Sequence, residues 1–403
     1  MSQRHRTFTM NTEHGVVPDG REPSLINLYR RLIPDWTALA HKGGAGRVAV
    51  VGGCLEYTGA PYFAAMAATY TGADLAYVFC EQSAAIPIKA HAADLIVIPT
   101  MHASEARIPA TNQREGPVDR VLAEQADAPP PPTSLPAETD DAYAVHIFGQ
   151  WLPRLHAVAF GPGLGRDPRV LGAVQHMLAM AVEQRVPIII DADALYLLGV
   201  AGRAGDDTRL SRALAARRQR ESAHGGAATT AAAPLVLTPN AVEGNRLLHS
   251  FQSAAVERLL EEVLTAADLV VEKGTLDRLH FCATDARYPS PLLCSERGSP
   301  RRCGGQGDVL CGALLTSMAW AHRCLDESVR RHPHRYLAAA HGACRLTRIA
   351  ARMAFAERYR ATVASDVLAQ VGPAFRTLEC EPATPPTRVV QAGTFADASD
   401  EQR

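Results

Sequence analysis

The chain is punctuated by short, solidly apolar runs, most of them ending in glycines, acids or a Thr-Pro-Asn turn. These are RVAVVGG (47–53), DLAYVFC (74–80), DLIVIP (94–99), AVAFGPG (157–163), VPIIIDADAL (186–195), PLVLTPN (234–240) and DLVVEKG (268–274). They are continuous rather than alternating, which suits strands buried on both faces, as in a parallel sheet. Helical patterns lie between them, among them the small, apolar APYFAAMAATYTGA (60–73) and residues 168–185. This alternation predicts an α/β fold with a mainly parallel central sheet and helices on both faces. A first helix is expected within 24–41, from Leu25, Leu28, Leu32, Trp36 and Leu39, with Pro34 kinking or ending it. From Gly307 to about Tyr359 the pattern reads as two or three further helices.

Two stretches break the rhythm. Residues 102–142 carry PPPP, acids and few large apolar groups, and 201–233 are rich in Ala, Arg and Gly. Both are expected to be surface insertions, because neither supplies core and the α/β pattern resumes after each. Residues 1–23 read as a disordered N-terminus and 381–403 as a flexible tail, leaving one decorated domain over 24–380.

Composition narrows the function. The 403 residues are 47% hydrophobic and 21% charged, enough to bury a large core without cross-links. A net charge of −1 offers no global field for nucleic acid or anionic lipid. No run approaches the roughly 18 apolar residues of a membrane span. The nine Cys show no CxxC pair and no Cys/His ligand spacing, which argues against a zinc site or disulfide framework and fits a reducing, cytoplasmic compartment. Arg4 and Arg6, with no acid before Glu13, leave a mitochondrial presequence as the alternative.

The strongest chemical feature is RRCGGQGDVLCGAL (301–314). Gly304, Gly305 and Gly307 precede a helical pattern, so bare backbone N–H groups and the helix dipole could face an anion. Asp308, at the start of that helix, could take a proton from a hydroxyl as it attacks phosphorus, or could simply cap the helix. No GxxxxGK[ST] occurs, which argues against a P-loop enzyme. GPGLGR (161–166) follows a strand but is not GxGxxG, so a dinucleotide fingerprint is unsupported. DADAL (191–195), TPNAVEGNRL (238–247), EKGTLDRL (272–279) and the turn Tyr57–Gly59 also follow apolar runs. Ligands of open α/β sheets bind beyond the carboxyl ends of strands. There Glu243 could help hold magnesium through water, and Lys273 could neutralise phosphate charge. Each turn taken singly also fits a plain strand-to-helix connection.

Together, KGGAGRVAVVGG…EYTGAPYFAA, GPGLGR, DADAL, LTPN-x-x-E, EKG and CGGQGDVLCG closely resemble the ATP-dependent NAD(P)H-hydrate dehydratases of eukaryotes. The resemblance covers about residues 24–380 apart from the two insertions, and implies a ribokinase-like fold. It implies that Gly163 or Gly165 contacts the hydrate and that Asn240, Ala241, Val242, Glu243, Gly244, Asn245 and Arg246 line its site. It assigns Lys273, Gly274, Thr275, Leu276 and Asp277 to ATP. It does the same for Gly298, Ser299, Pro300, Arg301, Arg302, Cys303, Gly304, Gly305, Gln306 and Gly307. Asp308 would contact the hydrate. The chain departs from the family where TLDRL follows EKG and where residue 244 is Gly. Implied too are Mg²⁺, ATP as co-substrate, the small molecules NADHX and NADPHX as substrates, and work alongside an NAD(P)H-hydrate epimerase. A homo-oligomer is compatible with it.

The chemistry is intelligible from the substrate. The hydrate carries a hydroxyl on the carbon beside the ring nitrogen, and hydroxide is a poor leaving group. Phosphorylation makes it a good one, and the nitrogen lone pair can expel phosphate. The protein must supply a base, charge stabilisation and positioning. The alternatives are a vitamin-precursor or sugar kinase on the same fold, or a degenerate nucleotide-binding regulator. The presence of Asp308 and the glycines speaks against the regulator.

Overall fold

In the computed structural model, which describes residues 24–35, 37, 41–104, 142–201, 208–223, 233–251, 253, 256, 264–282 and 288–380, the seven apolar runs form seven strands. They are β1 (Arg47–Val51), β2 (Leu75–Glu81), β3 (Ile96–Met101), β4 (Ala157–Phe160), β5 (Ile188–Ile190), β6 (Leu235–Leu237) and β7 (Leu269–Glu272). Two more strands follow, β8 (Asp277–Phe281) and β9 (Leu292–Cys294), giving one sheet of order β3-β2-β1-β4-β5-β6-β7-β8-β9. β1 to β7 pair in parallel; β7–β8 and β8–β9 are antiparallel. The parallel majority and the helices on both faces match the expectation.

The described helices are α1 (Leu25–Leu32), α2 (Gly59–Thr71), α3 (Gln82–His91), α4 (Ala142–Trp151), α5 (Pro168–Glu183), α6 (Asp193–Ala201) and α7 (Arg209–Ala223). They continue with α8 (Ala241–Ser250), α9 (Gln306–Arg323), α10 (Glu327–Arg330), α11 (Arg335–Arg358), α12 (Ala364–Ala369) and α13 (Val371–Cys380). Alternate strand residues enter two cores. Val48, Val50, Ala157, Ala159 and Ile189 pack with α1, α2, α9 and α11. Val51, Val158, Phe160, Ile188 and Ile190 pack with α4, α5 and α6. Burial on both faces is why these strands read as unbroken apolar runs. On the first face α9 crosses α2 closely: a Cβ at Gly312 would lie 2.1 Å from the Ala64 carbonyl oxygen.

Helix α1 ends at Leu32, just before Pro34, as expected; Trp36 and Leu39 lie outside the described residues. So do 1–23, 105–141 and 381–403. The segment 201–233 departs from the expectation of a coreless surface loop. Within it, α7 buries Leu210 and Ala213 and sends Arg217 inward to a two-pronged ion pair with Asp268, at 2.8 and 2.7 Å. Alanine and arginine are strong helix formers, and one inward arginine with a buried acid is enough to anchor the helix. Asp268 also accepts from the backbone N–H of Leu235, so α7 is tied to the start of β6.

Candidate active site

The strand order reverses between β1 and β4, the switch point at which an open α/β sheet leaves a crevice beyond its carboxyl ends. Glycine turns occupy it. A Cβ at Gly52 would lie 2.1 Å from the Pro162 carbonyl oxygen, and one at Gly161 would lie 1.8 Å from that of Asp191. Only glycine permits the turns after β1, β4 and β5 to meet so closely. Gly163 has φ +61°, and a Cβ there would approach the Tyr57 carbonyl oxygen to 2.5 Å. Thus EYTG and GPGLG, far apart in sequence, form one wall.

After β5 the chain kinks. Ala192 takes φ +46°, strained for an L-residue, and the two aspartates around it serve different partners. Asp193 accepts from the Gly165 N–H and from Arg166 Nε, both at 3.1 Å, and so clips the glycine loop to α6. Burial raises the Asp193 pKa, only partly offset by these donors. Asp191, 2% exposed, accepts from Lys273 Nζ at 2.8 Å. Glu243 Oε2 lies 3.8 Å from the same ammonium. Burial opposes the charge on Lys273, yet Asp191 and Glu243 outweigh it and hold the pKa above that of an ordinary lysine.

Asn240 and Glu243 begin α8 as a reciprocal capping box. The Asn240 side chain accepts from the backbone N–H groups of Val242 and Glu243, and Glu243 accepts from that of Asn240 at 2.9 Å. Asn240 thus caps the helix, while Glu243 caps and faces Lys273 at once. Ala241, Val242, Asn245 and Arg246 are exposed on this first turn; Gly244 lies against Pro239. Lys273 donates its backbone N–H to the Pro239 carbonyl, joining the turns after β6 and β7.

The glycine-rich segment closes the crevice from the other side. Gly305 is the N-cap of α9 with φ +86°, and Gly304 faces open space. Helix geometry leaves the N–H groups of Gly307 and Asp308 without intrahelical acceptors, at the positive end of an 18-residue helix. A Cβ at Gly307 would lie 3.6 Å from Lys273 Nζ, so this turn and the ammonium share one site.

Asp308 is not a cap. It is the third residue of α9, its carboxylate accepts no hydrogen bond among the described residues, and the N-cap is Gly305. Burial, reinforced by Asp191 and Glu243 and opposed by Lys273, pushes its pKa up to about 7. An unbonded carboxyl that titrates near neutrality beside a lysine has the properties of a proton acceptor.

Other assigned residues take supporting places. Gly274, Thr275 and Leu276 form an exposed turn, as do Pro300 and Arg302; Gly298, Ser299, Cys303 and Gln306 are half-buried. The Ser299 hydroxyl accepts from the Arg301 N–H, and Arg301 Nε donates to the Thr362 carbonyl. Asp277, which the resemblance assigns to ATP, turns its side chain inward. It is buried, ion-paired to Arg348 at 2.6 Å, and it accepts from the Gly274 N–H, so its carboxylate braces the turn. Sequence reasoning missed Arg348 and Glu296, which hold these loops. The available signal was a row of arginines at helical spacing, Arg345, Arg348 and Arg352, in an otherwise Ala-rich buried helix.

Comparison with known proteins fits this arrangement. A model of the NAD(P)H-hydrate dehydratase family matches residues 48–209 and 212–373. The ATP-dependent (S)-NAD(P)H-hydrate dehydratase of Bos taurus is 37% identical over 382 residues, spanning 93% of this chain and 94% of that protein. The human protein of the same name is 35% identical, over 93% and 89% of the two chains. Among solved structures, a ribokinase-like superfamily protein from Enterococcus faecalis superposes with a TM-score of 0.55 at 17% identity, over 91% of this chain and 99% of the other. That likeness shows the ribokinase-like fold. With the family matched across both halves of the sheet and through the glycine-led helix, the chain belongs to the NAD(P)H-hydrate dehydratase family.

Proposed function

We infer that the protein is an ATP-dependent dehydratase of the S-epimer of NADHX and NADPHX, regenerating NADH and NADPH and releasing ADP and phosphate. The observation that carries the reading is Asp308: a half-buried carboxyl with no hydrogen bond among the described residues, poised near neutrality at the mouth of a glycine-led helix and beside Lys273. The hydrate hydroxyl gives its proton to Asp308 as its oxygen attacks the terminal phosphorus, and the bond from phosphorus to ADP breaks. The N–H groups of Gly307 and Asp308 and the ammonium of Lys273 hold the transferred phosphoryl charge. The ring nitrogen then expels phosphate, and the neighbouring ring carbon loses a proton to restore the dihydronicotinamide. The Gly163 turn and the first turn of α8 hold the hydrate in place.

The donor set suits Mg²⁺. Asp191, Glu243 and Asp308 oppose a single ammonium, so an anionic nucleotide meets excess negative charge unless a divalent cation comes with it. Among the described residues no three ligating side chains converge on one point. The ion would therefore draw most of its ligands from nucleotide oxygens and water, with Glu243 reached through water. Magnesium supplies charge neutralisation on the phosphates. Because the relatives' activity is specific to one epimer, an enzyme interconverting the two epimers is a natural functional partner.

The test mixes the protein with hydrated NADH, ATP and magnesium and follows the absorbance of the regenerated dihydronicotinamide. Recovery that requires ATP supports the reading. Stable accumulation of a phosphorylated product without reduced cofactor would identify a plain kinase instead.

A further inference from the structure

One buried arginine touches both segments assigned to ATP. Arg348 projects from α11 with its side chain 9% exposed. Its Nε donates to Asp277 at 2.6 Å, and its Nη1 and Nη2 donate to the carbonyls of Thr275 at 2.8 Å and Gly274 at 3.1 Å. Nη1 also reaches the Glu296 carbonyl at 3.4 Å. Gly298 packs on the stem: a Cβ there would lie 3.5 Å from Arg348 Cγ. On either side along the same helix, Arg345 and Arg352 grip the Glu296 carboxylate, at 2.8 and 2.5 Å.

The bare turn Gly274–Leu276 is exposed and carries no large anchoring side chain of its own apart from Leu276, itself 44% exposed. Left alone it would sample many conformations, and binding a nucleotide would have to order it. Three polar contacts from one rigid guanidinium, to Asp277 and to the Thr275 and Gly274 carbonyls, remove that freedom beforehand, and a fourth ties it to Glu296. Lys273, which enters the crevice, is the residue directly before this turn, and the segment running from Glu296 leads through Gly298 to the glycines that open α9. A salt bridge needed only for stability would not require three backbone carbonyls from two loops.

We propose that Arg348 is a positioning residue that sets the separation of the 273–277 and 298–307 segments, reaching the second through Glu296 and Gly298, so that affinity for ATP depends on it although it acts through the loops. This rests on the reading of those segments as nucleotide-binding. Asp277 is its counter-charge, and Arg345 and Arg352 extend the grip to Glu296.

Magnesium–ATP titrated calorimetrically into wild type, R348K and the double variant R348M/D277L tests the binding step, and steady-state kinetics on the same proteins gives KM for the hydrate. Lysine keeps the charge but not the fork, and the double variant replaces the buried pair by apolar packing, which folds where a lone unpaired partner fails. In folded variants the ATP dissociation constant should rise about 10-fold or more, while KM for the hydrate stays within about 2-fold, since only the nucleotide loops lose their preorganisation. Unchanged ATP affinity in either folded variant overturns the proposal, and so does equal weakening for ATP and hydrate. Failure of wild type to bind ATP would instead overturn the assignment of the segments. ATP binding without consumption of the hydrate would sink the proposed activity and leave the clamp standing.

Discussion

Replacing Asp308 by Asn should make the protein more stable and nearly inactive, and the stability gain should depend on pH. Burial, with Asp191 and Glu243, lifts this carboxyl from 3.8 to about 7. Between those values the folded state keeps a proton that the unfolded chain has released, so wild-type stability falls through this group as pH rises from about 4 to about 7. At about 1.4 kcal/mol per pH unit, the ionised carboxylate costs at most roughly 4 kcal/mol above neutrality. The amide keeps the shape and carries no such cost. Urea denaturation of both proteins should therefore coincide near about pH 4, and by about pH 8 the variant should lead by up to a few kcal/mol. Turnover should fall on the order of 10²–10⁴-fold, because the amide accepts no proton. Near-normal turnover in the variant would refute the role of base. A stability difference that stays flat with pH would refute the half-buried, perturbed carboxyl from which that role is argued.

Four further outcomes follow. In wild type, kcat/KM for the hydrate should rise with pH through about 7 as Asp308 ionises, and a profile flat from about pH 6 to 8 would remove the base from Asp308. Gly163→Ala should raise KM for the hydrate while leaving calorimetric ATP affinity alone, because φ +61° and a Cβ at 2.5 Å from the Tyr57 carbonyl force the turn to move. Arg217→Ala should lower stability by about 3 kcal/mol in urea melts by stranding the buried Asp268, whose remaining backbone donors keep the loss near the lower end for a broken buried pair. For the same reason a deletion across 201–233 should give an unstable protein, contrary to the expectation from composition.

The parallel strands were legible because both of their faces are buried, so each reads as a block of apolar residues. β8 and β9 were not: DRLHF exposes Arg278 on an antiparallel pair, and Leu292–Cys294 is too short to carry a pattern. Asp308, Lys273 and the glycines announced themselves because helix starts and strand ends leave few reasons for those residue types. The contact of Lys273 with Asp191 was hidden, since it joins positions 82 residues apart. The bracing role of Asp277 was hidden, because a carboxylate that follows EKG reads the same whether it faces a ligand or holds the turn from within. Helix α7 was misread because its many arginines suggested solvent, whereas only Arg217 turns inward.

Nearly every wall of the crevice comes from a different crossover of the sheet: the ends of β1, β4, β5, β6 and β7, and the start of α9. No fragment of the chain holds a usable part of it, and long-range pairings of this kind form late and slowly. The site is thus a certificate of completed folding. Nucleotide that recognises it binds only the finished chain, and at about 100 times its dissociation constant adds roughly 2.7 kcal/mol to the whole sheet at once. In a solution rich in ATP, the co-substrate would act as a guardian of the fold even in molecules that never meet a damaged cofactor.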